Sequence, residues 1–198
     1  MKHVCVYCGS SEGLDPAYAQ AACHLGRTIA SQGLVLVYGG ARVGLMGHLA
    51  RAALAAGGEV LGVMPRHLVD LDLAQKGLSE LRIVDNMHER KAAMALAADA
   101  FIALPGGMGT LEELLETLTW AQLGLHQKPC GLLNTRHYYD PLISLLAHAE
   151  QQGFLHPRHR ALLLQAHEPE PLLHALNTFR MPLQDKASWI LGMTQTRA

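Results

Sequence analysis

Ala100-Phe101-Ile102-Ala103-Leu104-Pro105-Gly106-Gly107-Met108-Gly109-Thr110-Leu111-Glu112-Glu113 decides how this chain folds. Its first five residues form a continuous apolar run, the pattern of a strand buried on both faces. From Leu111 to Leu123 apolar residues recur at helical spacing, which predicts a helix. Between the two stand glycines, which let a ligand reach the backbone without interference from Cβ atoms. A strand, a glycine turn and a helix, in that order, make the unit of a parallel α/β sheet. The first N–H groups of such a helix lack intrahelical partners, and its dipole favours a negative charge. The same stretch therefore predicts both a fold and an anion seat.

The pattern repeats outward from there. Short apolar runs at His3–Cys8, Val35–Tyr38, Glu59–Met64, Leu81–Val84, Ala100–Leu104 and Cys130–Leu133 read as strands, with Ala161–Gln165 a weaker seventh. Helices are predicted at Pro16–Ser31, Leu45–Ala56, Met87–Ala97, Leu111–Leu123, Tyr139–Gln151 and Pro171–Thr178. Strands alternating with helices indicate a Rossmann-like, doubly wound α/β fold, a mostly parallel sheet with helices on both faces. Ligands of such folds sit beyond the carboxyl ends of the strands. Residues 1–179 form one domain in this reading, and residues 180–198 a tail without clear periodicity. The stretch Pro65–Ser79 reads as an irregular flap.

The chain has 198 residues and is 49% hydrophobic, enough for a single domain with a sizeable core. A net charge of −1 and a pI of about 6.9 give no electrostatic footprint for nucleic acid. No apolar run approaches the roughly 20 residues of a membrane span, and Met1-Lys2-His3 enters a strand at once, without a signal-peptide pattern. A cytoplasmic location is expected, with the four cysteines as free thiols. Cys5 and Cys8 make a C-x-x-C. On a strand, residues three apart point to opposite faces, whereas a redox pair normally opens a helix, so neither a redox nor a zinc role is assigned. No metal-ligand spacing occurs among the twelve histidines.

Three glycine-bearing turns follow predicted strands: Cys8-Gly9-Ser10-Ser11, Tyr38-Gly39-Gly40 running on to Gly47, and Pro105–Thr110. None has the spacing of a dinucleotide fingerprint, and none carries a Walker lysine. A monophosphate fits better, held by loop N–H groups and by the hydroxyls of Ser10 and Thr110, with Gly40 in the neighbouring turn. Thr110-Leu111-Glu112-Glu113 also satisfies the capping-box pattern, in which Thr110 caps the helix and Glu113 folds back on it. Spacing leaves that structural role and a chemical role for Glu113 equally open. Arg90 and Lys91 fall in the first turn of a predicted helix, where bases are unfavourable unless an anion or a neighbouring acid offsets them.

Pro105-Gly106-Gly107-Met108-Gly109-Thr110-Leu111-Glu112-Glu113 and Met87-His88-Glu89-Arg90-Lys91 together resemble the Lonely Guy family of cytokinin riboside 5′-monophosphate phosphoribohydrolases. Val6–Ser11, Tyr38-Gly39-Gly40, Gly44–Gly47, Val63-Met64-Pro65 and Thr119–Gly124 are similar to the same family. The resemblance implies hydrolysis of the N-glycosidic bond of a nucleoside 5′-monophosphate, with AMP handled by the same mechanism. It implies Arg90 and Glu113 as the catalytic pair. Lys91, Thr119 and the loop Gly107-Met108-Gly109-Thr110 match substrate-binding positions, flanked by Gly106, Leu111 and Glu112. Asp72 falls where plant members carry a substrate-binding glutamate, one methylene longer. The family implies a homodimer, no metal and no other cofactor. The alternative class is a non-catalytic regulatory protein that binds a nucleoside monophosphate, for which Glu113 is needed only as a helix cap.

Overall fold

The computed structural model describes residues 1–181, so most of the predicted tail 180–198 lies outside the described residues. Seven strands form one sheet: β1 (His3–Tyr7), β2 (Val35–Tyr38), β3 (Val60–Pro65), β4 (Glu80–Val84), β5 (Ala100–Ala103), β6 (Cys130–Leu133) and β7 (Leu163–Ala166). Every pairing is parallel, in the order β4-β3-β2-β1-β5-β6-β7. The Rossmann-like α/β expectation holds. The strands step outward one way from β1 to β4 and the other way from β5 to β7, so the winding reverses between β1 and β5. That reversal opens a crevice at their carboxyl ends, where the loops after Tyr7 and Ala103 emerge.

Both faces are covered. On one, α1 (Pro16–Ser31), α2 (Gly44–Ala55) and α8 (Pro169–Thr178) bury Leu25, Ile29, Leu49 and Leu172 against Val4, Val6 and Leu36. On the other, α4 (Met87–Ala97), α5 (Met108–Gln122) and α6 (Asp140–Gln151) pack Met94, Leu114 and Leu118 against Val37, Val63 and Phe101, with Leu142 and Ile143 of α6 alongside. Cys5 belongs to the second core and Cys8 to the first, the opposite-face placement that strand geometry requires. Burial pushes both thiols well above the ordinary thiol range, with the Glu113 carboxylate adding to it.

Three local features differ from the sequence reading. The Pro65–Ser79 stretch contains a short helix, α3 (Arg66–Asp70). It is tied to the β2–α2 turn by Arg42 N–H to Leu73 O (2.9 Å), Gln75 N–H to Gly40 O (2.8 Å) and a bridge between Ala41 and Ala74. The weak seventh strand starts two residues later than expected, because α7 (Pro157–Arg160) forms ahead of it, with proline at the helix start. Asp99, expected only to shape a turn, accepts from the N–H groups of Lys2 (2.6 Å) and His3 (2.9 Å) and so pins the start of β1 beside β5.

Candidate active site

Helix α5 begins at Met108, three residues earlier than its apolar periodicity suggests. Gly107 takes an extended conformation (φ −86°, ψ −154°) and stands as the N-cap, with no side-chain cap bond. Thr110 is therefore inside the helix, and Glu113 does not fold back on it. Side-chain capping occurs instead at α4: Asn86 accepts from Glu89 N–H (2.9 Å), while the Glu89 carboxylate reaches past the cap to accept from Asp85 N–H (3.0 Å). Glu113 is left to another partner. Its Oε1 accepts from Arg90 Nη1 at 3.1 Å, with the Glu113 side chain only 10% exposed. Arg90 is anchored a second time by Nε donating to Val63 O at 3.1 Å.

The pair lies in a cleft of about 390 Å³ at the β1/β5 crevice. It is lined by Gly9, Ser10, Gly107, Met108, Gly109 and Thr110, and by the apolar side chains of Met46, Leu68, Leu73 and Met87. Among the described residues, no acceptor takes the amide hydrogens of Gly107, Met108 or Gly109, so three donors are available to an anion. A Cβ built on Gly107 or Gly109 would meet nothing within 4 Å. Neither φ lies in the left-handed region, so alanine fits the backbone at both positions. Gly107→Ala should therefore keep the thermal unfolding midpoint while raising the dissociation constant of ribose 5-phosphate, measured by calorimetry. Unchanged affinity would remove the anion seat from this loop.

Burial pushes the Glu113 carboxyl above the ordinary glutamate value; Arg90 opposes the shift and Glu112 reinforces it. Next to it, Lys91 Nζ lies 2.7 Å from Glu112 Oε1 and 3.1 Å from Glu116 Oε1. These contacts raise the lysine pKa, and the same bond lowers that of Glu112. An ammonium has three donors, so two are spent on α5 and one remains for the cleft, which Lys91 also lines. The unfavourable bases at the start of α4 are thus offset by acids of another helix.

The remaining candidates separate. Ser10 and Thr110 line the cleft. Gly106 sits behind it, where a Cβ would fall 2.1 Å from Thr110 Oγ1 and 2.8 Å from Gly9 N. Leu111 packs into the core. Of the two glycines after β2, Gly39 rather than Gly40 faces the cleft, and a Cβ there would lie 1.8 Å from Arg90 Nη2. Asp72 (φ +54°) lies outside the cleft lining; its carbonyl accepts from Arg42 Nε at 2.7 Å and its carboxylate is 3.7 Å from Arg42 Nη2. Thr119 is exposed on α5, donating to Leu115 O at 2.7 Å. Trp120 is half-buried and outside the cleft. Among the described residues there is no cluster of three side chains able to hold a metal ion.

A family model described as possible lysine decarboxylase matches residues 46–176. A cytokinin riboside 5′-monophosphate phosphoribohydrolase of Rhodococcoides fascians is 51% identical over 178 residues, covering 89% of this chain and 90% of its own. A phosphoribohydrolase of the same description from Arabidopsis thaliana is 47% identical, covering 90% of this chain and 82% of its own. Among solved structures, the molybdenum cofactor binding protein of Rippkaea orientalis superposes with a TM-score of 0.68 at 25% identity, over 90% of this chain and 97% of that one. The molybdenum cofactor carrier protein of Chlamydomonas reinhardtii has the same fold, with a TM-score of 0.63 at 21% identity over 98% of this chain and 96% of that one.

Proposed function

This chain belongs to the Lonely Guy family of cytokinin riboside 5′-monophosphate phosphoribohydrolases, and from that premise we propose that it hydrolyses the N-glycosidic bond of a nucleoside 5′-monophosphate, releasing the base and ribose 5-phosphate. The observation that carries the reading is the buried Glu113–Arg90 pair beside a loop whose amides find no acceptor among the described residues. Cleavage of the ribosyl–nitrogen bond builds positive charge on the sugar. Ionised Glu113 stabilises that charge and orients or deprotonates the attacking water. Arg90 holds Glu113 in place and binds phosphate or ribose oxygens. The 5′-phosphate rests on the Gly107–Gly109 amides, Ser10 and Thr110, so binding energy remote from the reacting bond orients the sugar. Lys91, through its remaining donor, and Glu112 complete the floor, while Asp72 and Thr119 reach substrate only if the surroundings of the cleft rearrange or a partner subunit meets them.

The fold alone does not choose between enzyme and binder, since cofactor-binding proteins share it. Glu113 favours the enzyme: a monophosphate binder has little use for a buried carboxylate next to its anion. The decarboxylase description fits the cleft poorly. A Schiff-base lysine must lose its proton readily, whereas Lys91, the lysine lining the cleft, is held protonated by Glu112 and Glu116.

The apolar lining of Met46, Leu68, Leu73 and Met87 supports a base carrying an isopentenyl-type substituent, with AMP a poorer substrate. Exposed Met87 and Leu96 on α4, with Leu115 on α5 and Leu123 at its C-cap, support a homodimer. Four free thiols support a cytoplasmic location. Incubation with isopentenyladenosine 5′-monophosphate, AMP and the dephosphorylated ribosides, followed by chromatography of the bases, tests the reading. The prenylated monophosphate is expected to release base fastest, and the ribosides scarcely at all. Equal turnover of riboside and monophosphate would overturn the role given to the loop.

A further inference from the structure

Between β6 and α6 the backbone takes an unusual course. Arg136 (φ +54°) and His137 (φ +59°) are consecutive non-glycine residues in the left-handed region, inside the 3₁₀ turn Thr135–His137. Such a conformation persists only where the surroundings over-determine it. Here they do. Arg136 Nε lies 3.0 Å from Asp15 Oδ2 at the cap of α1, and His137 Nδ1 lies 3.1 Å from Asp140 Oδ2. Asn134 donates to Asp140 Oδ1 (2.7 Å) and accepts from Tyr139 N–H (2.8 Å).

The turn delivers two adjacent tyrosines to the back of the glycine loop. Buried Tyr139 donates to Leu104 O at 2.7 Å. Tyr138, braced edge-on between the rings of Tyr18 and Tyr139, donates to Gly106 O at 2.6 Å. In a trans peptide the C=O and the following N–H point in opposite directions. Tyr138 therefore fixes the Gly106 carbonyl outward, and the Gly107 amide, free of any acceptor among the described residues, is fixed toward the cleft that Gly107 lines. We infer that Tyr138 is a positioning residue of the phosphate seat, presetting the Gly107 N–H for the 5′-phosphate before substrate arrives. Donors already aimed at an anion need no reorganisation when it binds. The inference rests on the reading of this loop as the phosphate seat.

Tyr138→Phe removes one oxygen and keeps both ring contacts, so the protein is expected to fold as wild type. For the prenylated monophosphate KM should rise about three- to tenfold, the worth of one hydrogen bond, with kcat within about twofold. The riboside, which has no phosphate to seat, should keep its kcat/KM. Titration with ribose 5-phosphate, followed at the Gly107 amide by NMR, should show a midpoint displaced by the same factor. An unshifted midpoint, or an equal loss on monophosphate and riboside, would overturn the inference, the second outcome because it marks a general structural role. If the wild-type protein cleaves neither substrate, the hydrolase reading falls, yet the ribose 5-phosphate titration still decides the part played by Tyr138.

Discussion

Glu113→Gln should lower kcat for base release by about 10²–10⁴-fold, the span usual for a positioned acid–base group, while ribose 5-phosphate binds as to wild type. The amide has the carboxylate's shape, and its carbonyl oxygen can still accept from Arg90, now 3.1 Å from Oε1. What it loses is the negative charge that, in the proposed mechanism, faces the sugar as the bond breaks. A non-catalytic monophosphate binder would show no functional change at all. Base release by the variant at the wild-type rate would therefore remove Glu113 from the chemistry and restore the binding-module reading.

The same carboxylate sets a pH dependence. Burial is the largest influence on it and raises its pKa above the ordinary 4.5, against the pull of Arg90. In the proposed mechanism Glu113 acts in its ionised form, so kcat should climb with pH through a limb above 4.5, and Glu113→Gln should lack that limb. The linkage to stability has the opposite sign. An acid whose pKa is raised by folding binds more protons in the native state between the two values. Its burial is therefore without penalty below about 4.5, and stability is lost as pH rises through the raised value.

The layers of the fold are legible because each strand is a compact apolar run and each helix keeps one apolar stripe, as at Val35–Tyr38 and Pro16–Ser31, where the expected bounds match the structure. Local patterns fail where a local rule meets a long-range partner. Thr110-x-x-Glu113 obeys the capping-box rule, yet α5 starts earlier, at Met108, and Glu113 pairs with Arg90 of α4, an encounter that no spacing within α5 encodes. Lys91 belongs to the same case: its partners Glu112 and Glu116 look like a repulsive i,i+4 pair until a cation from another helix is placed between them. Tyr138 gives no sequence signal, because its position depends on two residues in a conformation that non-glycine residues rarely adopt. The motif glycines are legible as a group, but only the folded loop separates Gly106, crowded by Thr110, from Gly107 and Gly109, which are open.

Gly39→Ala should be nearly as damaging as loss of Arg90 itself, although residue 39 carries no functional group. The φ of Gly39 is not in the left-handed region, so alanine fits the backbone. Its Cβ, however, would stand 1.8 Å from Arg90 Nη2 and 3.0 Å from Cζ. The guanidinium is the far end of a flexible chain and will move aside, which spares the fold but breaks the bonds to Glu113 and Val63. A misplacement of this size should lower kcat/KM by about 10²-fold, and at neutral pH the thermal midpoint should fall as well, because a buried carboxylate has lost its cation. Glu113 then keeps its burial and loses the nearby cation, so the acidic limb of the pH profile should move upward relative to wild type. Because both changes act through one guanidinium, Arg90→Ala added to Gly39→Ala should cost little more than either alone. Additive losses in that cycle, or a Gly39→Ala variant as active as wild type, would show that the Arg90 position beside Gly39 is not the one that acts on substrate.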